Sequence, residues 1–288
     1  MSQNQYKIGQ LSVEGKTKRI YSVLCNPNEC IVESKNAITA NDDPKLTREF
    51  GTKAKAANIT TCNVFNLLKK AGIPVSFKNL ISGISFLSDN CTMVPLEVVA
   101  RRYAVGSYLK REPSFKMEEG EVPYEFNDLC VEFFLKTTGG KCFFSNKELI
   151  SGLTVEDQYI SNPSDPVWRL LEPKVPYTDD KSFLSDFDSG KILNRMVSIE
   201  TLTSITKRVF IVLEEAFSKQ NIRLIDFKIE FGINSRGELV VSDVIDNDSW
   251  RIVTTDWEDL SKQSFRDGED LSTVEKKYLQ VMEITNSF

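Results

Sequence analysis

The stretch LIDFKIEFGINSRGELVVSDVIDNDSWR, Leu224 to Arg251, interleaves charged and apolar residues at a spacing that could hold a metal ion. Asp226, Lys228 and Glu230 alternate with Phe227, Ile229 and Phe231. In a strand, the period of two sends the three charges to one face and the three apolar side chains to the other. Asn234-Ser235-Arg236-Gly237 reads as a turn, which makes the stretch a hairpin. With Ile233 opposite Glu238, Lys228 falls opposite Asp243. Glu230 is then a diagonal neighbour of Asp243 on the same face, about 7 Å away. Two carboxylates so placed suit a Mg2+ completed by phosphate oxygens and water. A solvated hairpin face laced with salt bridges accounts for the same residues, and the hairpin alone leaves both readings open.

Three other segments carry candidate ligands for anions. VEGKTKRIY places Lys16 and Lys18 just after Gly15, where a glycine lets the backbone turn tightly or approach a ligand closely. A lysine on such a turn suits phosphate as a point charge, although a plain hairpin reads the same way. VPLEVVARRYAVGSYLKR brings Arg101, Arg102, Lys110 and Arg111 around Gly106-Ser107. Arginine grips carboxylate or phosphate in a bidentate way, and a serine hydroxyl can add to it. NAITANDD, Asn36 to Asp43, has the small polar residues of a loop that wraps a ligand, or of an ordinary turn.

Composition narrows the chemistry. The 288 residues contain no histidine, which removes histidine triads, general bases and zinc ligands together. The six cysteines form no C-x-x-C pair and read as reduced structural thiols. A net charge of -5 gives no footprint for nucleic acid. No apolar run reaches the length of a membrane span, and MSQNQYKIGQ is not a signal peptide, so a soluble cytoplasmic protein is expected. Oligomeric state has no signature in the chain.

The elements that must position these residues form an α+β pattern. Strands are predicted over Gln10–Val13, Lys18–Leu24 and Glu29–Ser34, with a turn at Asn26-Pro27-Asn28. Val64, Leu67, Leu68 and Ala71 mark a helix stopped by Gly72 and Pro74. Strands follow around 81–87 and 93–100, and another over 132–136. Six prolines and Gly139-Gly140 make 112–192 read as a long irregular, partly mobile region with short elements. Ile199, Leu202, Ile205, Val209, Leu213, Ala216 and Phe217 then define one face of a long helix. A last helix begins at Ser272 with Glu275 as its capping box. Two lobes with a cleft between them fit this order: 1–93, strand-rich, and 94–288, mixed.

Taken together, EGKTKRIY, ITANDD, VPLEVVARRYAVGSYLKR and IDFKIEFG...VVSDVIDNDSWR resemble phosphoribosylaminoimidazole-succinocarboxamide (SAICAR) synthetases, from about residue 10 to 270 and in the right order. VIDNDSWR and SKQSFRD are similar to the animal version, where the synthetase is fused to a carboxylase; this chain ends at Phe288 and so is expected to be a stand-alone synthetase. The resemblance implies two α+β lobes related to ATP-grasp and kinase-like nucleotide binders. It implies a ligase that joins carboxyaminoimidazole ribonucleotide and L-aspartate with ATP, through an acyl phosphate, with Mg2+.

Residue by residue, the family pattern implies that Gly15, Lys16 and Lys18 meet the ATP phosphates beneath a lobe of residues 1–93. Glu230 and Asp243 would hold Mg2+, Lys228 would lie close to the nucleotide, and Asp226 would support it or the metal. Arg101, Ser107, Lys110 and Arg251 would hold the ribonucleotide, and Ala40, Asn41 and Asp42 would lie near the imidazole and aspartate sites. The family's acidic stretch after the FFLK strand is best matched by Ser164-Asp165-Pro166, about 25 residues late, which makes Asp165 the candidate there. Lys53 and Lys55 have no assignment. A different small-molecule kinase, or a non-catalytic nucleotide-binding relative, remains the alternative to the ligase.

Overall fold

A computed structural model describes residues 6–39 and 47–288. The chain runs as β1 (Ile8–Glu14), β2 (Lys18–Val23), β3 (Asn26–Ser34), β4 (Ala37–Thr39), β5 (Thr47–Glu49), α1 (Lys53–Lys70), β6 (Phe77–Ser82) and β7 (Ser85–Asp89). It continues through β8 (Thr92–Tyr103), α2 (Ser107–Arg111), β9 (Glu125–Leu135), β10 (Cys142–Phe144), β11 (Lys147–Ile150), β12 (Gln158–Ile160), β13 (Val167–Leu171) and β14 (Phe183–Asp188). The last elements are α3 (Ile199–Ser218), β15 (Ile222–Ile233), β16 (Leu239–Ser242), β17 (Trp250–Thr254), α4 (Gln263–Arg266) and α5 (Leu271–Thr285).

Two antiparallel sheets dominate. The first has the order β1-β2-β3-β7-β6, all drawn from residues before Asn90. The second has the order β14-β13-β12-β9-β8-β15-β16, and β17 pairs with the N-terminal half of β15. They meet at β16: Val75 bridges Val241, Ser76 N–H donates to Val241 O at 2.9 Å, and Val241 N–H donates to Pro74 O at 2.9 Å. A continuous apolar core runs from Val32, Phe65 and Phe86 to Leu96, Phe133, Phe227 and Phe231. Helix α1 packs on both β3 and α5, so the last helix of the chain is tied to its N-terminal part.

Helix α3 forms where the periodicity places it. Ser198 caps it by accepting from Thr201 N–H at 3.2 Å, and Leu202, Val209, Phe210, Leu213 and Phe217 are fully buried. Each such side chain contributes about 1.5–3 kcal/mol through burial. The stripe packs on β15, β8 and β9, with Phe210 edge-on to Phe227.

Two expectations need correction, the turn before β3 and the cap of α5. Asn26-Pro27-Asn28 is not the turn: Val23 pairs with Asn26, and Leu24-Cys25 turns the chain with Cys25 at φ 66°. Helix α1 carries the expected markers Val64, Leu67 and Leu68, ends before Gly72 as expected, and reaches back to Lys53. Residues 112–192 hold the short elements expected there, β9 to β14, all but β9 of three to six residues; Trp168, Leu170 and Phe187 are buried among them and the prolines fall at turns and connections. Helix α5 is capped by Asp270, which accepts from Ser272 and Thr273 N–H; Glu275 instead accepts from Thr52 Oγ1 at 2.5 Å and ties α5 to α1.

Candidate active site

One face of the second sheet gathers five of the charged candidates, Asp226, Lys228, Glu230, Arg101 and Arg251. Along β15 and β8, Asp226 pairs with Arg101, Lys228 with Val99 and Glu230 with Glu97. Along β8 and β9, Val99 pairs with Glu132 and Glu97 with Phe134. Paired residues share a face, so Asp226, Lys228, Glu230, Arg101, Glu97 and Glu132 lie together, and Lys136 follows in the same alternation. Phe227, Ile229, Phe231, Val98, Ala100 and Phe133 occupy the other face and are buried toward α3. Hydrophobic burial on one face thus fixes which way every charge points.

The hairpin register differs from expectation by one residue. Ile233 pairs with Leu239 and Glu230 with Ser242, so Lys228 is not opposite Asp243. Asn234 enlarges the turn: its Oδ1 accepts from both Arg236 and Glu238 N–H, at 3.0 Å each. In the observed register an extended Asp243 would sit on the face away from Glu230. Asp243 instead has φ 67°, which ends β16 and breaks the alternation. Its carboxylate meets the Lys18 ammonium, which comes from β2 of the first sheet.

Around this junction three lysines face four carboxyl groups. Lys18 pairs with Asp243, Lys136 with Glu230 at 2.5 Å, and Lys228 with Glu97 at 2.7 Å. Asp157 accepts from Thr137 N–H at 2.8 Å and lies within charge range of Lys136, Glu97 and Lys228. Burial lowers the Lys18 ammonium to about 8, with Glu230 opposing and Lys136 adding to the drop. Burial would raise the Glu230 carboxyl, but Lys136 and Lys18 outweigh it and hold it below its usual range. Burial pushes Asp157 up to about 6 against the pull of Lys136.

The other end of the same face is a buried chain of ion pairs. Arg101 Nε donates to Glu132 at 2.6 Å, and Arg101 Nη1 donates to Asp226. Arg251 Nη1, from β17, donates to the same Asp226 oxygen at 2.6 Å. Arg111, at the end of α2, donates to the second Glu132 oxygen. Arg101 Nη2 reaches Ser107 Oγ at 3.5 Å, and Arg251 Nε reaches Gln263 at 3.4 Å. Only Arg251 among the five charged groups is appreciably open, its side chain being 24% exposed. Arg101, at 3%, is a support within the wall and not an open gripping group.

A third cluster centres on Asp248. Asp248 accepts from Lys53 at 3.4 Å, Lys262 at 3.3 Å and Tyr278 at 2.5 Å. Burial opposes ionisation of Asp248, but Lys53 and Lys262 hold its carboxyl well below the usual range. Burial and the neighbouring Asp248 push Asp246 up.

The remaining candidates are scattered. Lys16 is exposed in the β1–β2 turn, closed by Gly15 N–H to Lys18 O at 2.9 Å. A Cβ on Gly15 would meet that oxygen at an ordinary 3.6 Å, so packing alone does not require glycine there. Lys110 is exposed on α2. Asp165 is exposed in the β12–β13 turn, bonded to Asn162 at 2.8 Å, and is not in the cluster; Asp157, nearer in sequence to the FFLK strand, lies within charge range of Lys136. Ala40, Asn41 and Asp42 lie outside the described residues. Sequence reasoning missed Glu97, Glu132, Lys136, Asp157, Lys53, Asp248 and Lys262 as site residues. The available signal was alternation: Glu97, Arg101, Glu132 and Lys136 are charges at even spacing within two apolar strands.

A family model described as SAICAR synthetase matches residues 11–161 and 183–285. A phosphoribosylaminoimidazole-succinocarboxamide synthase of Chloroflexus aurantiacus is 32% identical over 290 residues, covering 97% of each chain. The human bifunctional carboxylase/succinocarboxamide synthetase is 32% identical over 288 residues, 96% of this chain. A multifunctional protein of Caenorhabditis elegans is 35% identical over 97% of this chain. The chain spans only 58–59% of the length of these two animal relatives. Among solved structures, the Ehrlichia chaffeensis synthase superposes with a TM-score of 0.72 at 23% identity, covering 97% of this chain and 99% of that one. A SAICAR synthetase in complex with ADP superposes with a TM-score of 0.70 at 24% identity, covering 98% of each. The likeness to these structures is one of fold, and the match in sequence goes further: the chain belongs to the SAICAR synthetase family.

Proposed function

We propose that the chain is an ATP-dependent ligase that condenses carboxyaminoimidazole ribonucleotide with L-aspartate, giving SAICAR, ADP and phosphate in purine synthesis. Family membership supports the reaction, and the layout of the charged face supports the division of labour. Residues 1–93 form a lobe over ATP, and 94–288 carry the hairpin and the ribonucleotide end. No helix among the described residues is long and apolar enough to cross a membrane, in keeping with work in the cytoplasm.

Phosphoryl transfer to a carboxylate needs charge neutralisation and alignment more than a histidine base. Lys18, Lys136 and Lys228 supply three positive charges at one end of the face. Gly15 and Lys16, in the turn leading into β2, extend the phosphate cradle. Glu230 and Asp243 fit a Mg2+ in donor chemistry: two hard carboxylates from neighbouring strands, with room in the coordination sphere for phosphate oxygens and water. When bound, the ion supplies neutralisation of the triphosphate. As Lys18 and Lys136 now pair with those carboxylates, nucleotide binding exchanges partners: the ammoniums turn to phosphate oxygens.

At the far end, Arg251 and Ser107 receive the ribonucleotide, with Arg101 and Asp226 behind them. Lys262, beside Asp248, lines the same side. Asp226 and Glu230 are four residues apart on β15, about 13 Å at strand rise. That separation keeps the ribonucleotide's phosphate away from the triphosphate while its carboxylate reaches between them. The aspartate amine then attacks the acyl phosphate, the C–N bond forms, phosphate leaves and the amine loses a proton. The observation that carries this reading is one sheet face with lysine–carboxylate pairs at one end and an arginine cradle at the other.

The test is ADP release measured with the ribonucleotide, with L-aspartate present or withheld. ADP forming at full rate only when both substrates are present is the expected outcome. Steady ADP formation from an unrelated acceptor, with the ribonucleotide idle, would instead mark a kinase.

A further inference from the structure

Arg111 and Glu132 have no role in the reaction as described, yet they are among the most costly groups in the molecule to bury. Their side chains are 1% and 4% exposed. Arg111 is held from four sides: it donates to Glu132, donates to Pro173 O at 2.5 Å, and lies over the rings of Phe134 at 5.1 Å and Tyr159 at 4.5 Å. Buried ion pairs of this kind are often no more stabilising than well-packed apolar residues, so stability alone is a weak reason to keep one.

What the pair does control is orientation. Glu132 spends one oxygen on Arg111 and the other on Arg101 Nε, which fixes the plane of the Arg101 guanidinium. That plane directs Nη1 to Asp226 and leaves Nη2 toward Ser107. Asp226 in turn fixes Arg251. A second line of contact reaches the same place through the backbone. Helix α2 has Ser107 at its start and Arg111 at its end, so anchoring Arg111 anchors Ser107. The residue before it, Gly106, lies so close to Arg251 that an added Cβ would stand 2.5 Å from Nη2, and its φ is +61°. The five charges alternate as Arg111, Glu132, Arg101, Asp226 and Arg251, three cations to two anions. The uncompensated positive charge falls at Arg251, the one open member.

We propose that Arg111 and Glu132 are positioning residues for the ribonucleotide end: acting as one unit through Arg101 and through α2, they hold Ser107 and Arg251 in a single arrangement that receives an anionic group. This rests on the reading of that end as the ribonucleotide site. Burial would raise the Glu132 carboxyl, but Arg101 and Arg111 outweigh it and hold it below its usual range.

The experiment measures dissociation constants for carboxyaminoimidazole ribonucleotide and for ADP by calorimetry, on the full chain and on Glu132→Gln, Arg111→Lys and the double variant, alongside KM, kcat and melting temperature. Glu132→Gln should weaken ribonucleotide binding by about tenfold or more while ADP binding changes by about twofold at most. The double variant should be no worse than Glu132→Gln alone, because both residues act through Arg101. Equal weakening of both ligands, or a lower melting temperature with no change in either constant, would reduce the pair to a structural brace and overturn the proposal. Should Glu132→Gln fail to fold, Arg111→Lys keeps the charge and decides by the same split between ligands. A wild-type chain that binds both ligands but forms no ADP with aspartate would sink the reaction while the binding split still decides this inference. A wild-type chain that ignores the ribonucleotide would overturn both.

Discussion

The two ends of the charged face share three strands and differ in almost everything else. At the Lys18 end, the ion pairs are partly open: side-chain exposure is 23% for Lys18, 34% for Lys136 and 45% for Lys228. Each lysine has one main carboxylate, and the partners come from different elements, in one case from different sheets. At the Arg101 end, Arg101, Glu132 and Asp226 are 4–5% exposed, and each carboxylate serves two guanidiniums. Lysine is a point charge on a flexible stem, and arginine is a rigid fork. The first end is therefore built to exchange partners, and the second to keep them. A triphosphate and its ion must displace existing contacts, while a ribonucleotide needs a surface already set.

Breaking the comparison at the exchangeable end should cost activity and little else. Asp243→Asn keeps the size of the side chain and removes one of two carboxylates proposed for the ion. Turnover should fall by several kcal/mol of barrier, about a thousandfold, with the melting point nearly unchanged. Normal turnover in this variant would remove Asp243 from the ion site. At the fixed end the order of effects should reverse. Arg101→Met leaves Glu132 and Asp226 buried with one guanidinium each, and breaking such a network costs about 3–5 kcal/mol. Thermal unfolding should register this as a fall of about 10 °C. A melting point within a degree or two of wild type would mean that water already enters this end.

The pH profile sharpens the contrast. Lys18 sits at about 8 in the free protein, lowered chiefly by burial. It is charged below that value and loses its charge above it. If the charge meets phosphate, kcat/KM for ATP should fall about tenfold per pH unit above 8, since that ratio reports the free protein. Lys18→Arg, charged throughout, should retain whatever activity it has across the same range. A wild-type profile flat to pH 9.5 would mean that no lysine titrating near 8 meets the phosphates. Arg101 should leave no trace in the profile, because its guanidinium is charged at every accessible pH.

How much of this was legible depended on whether the determining contact was local. The alternation of Asp226, Lys228 and Glu230 against Phe227, Ile229 and Phe231 is a property of one strand, and it holds. The α3 stripe is equally local and also holds. The hairpin register slipped by one because Asn234 widens the turn with its side chain, a choice that composition does not announce. Asp243 reaches the Lys18 ammonium through a left-handed backbone, not the strand pairing that was expected to set it opposite Lys228, and that contact was not foreseen. Lys136, Glu132 and Asp157 became site residues only when β9 paired with β8 and β12, contacts that join distant parts of the chain. The prolines of 112–192 left its individual strands unplaced because those strands are short, and short strands are held by their neighbours more than by their own pattern. Lys53 shows the same limit: its partner Asp248 lies 195 positions away.

The smallest effect tests the distinction most closely. Lys228 and Glu97 form a pair at 2.7 Å between adjacent strands of the same face as Arg101 and Asp226. If position on this face were enough to make an ion pair structural, Lys228→Met would destabilise as Arg101→Met does. Lys228 is 45% exposed, however, and water can solvate either partner when the other is removed. Pairs of that kind contribute about 0–1 kcal/mol, so the melting point should move by about 3 °C or less. Turnover should fall further than this stability change explains, because a cation close to the triphosphate is lost. A drop in melting temperature as large as that of Arg101→Met would erase the difference between the two ends and make the whole face one rigid network.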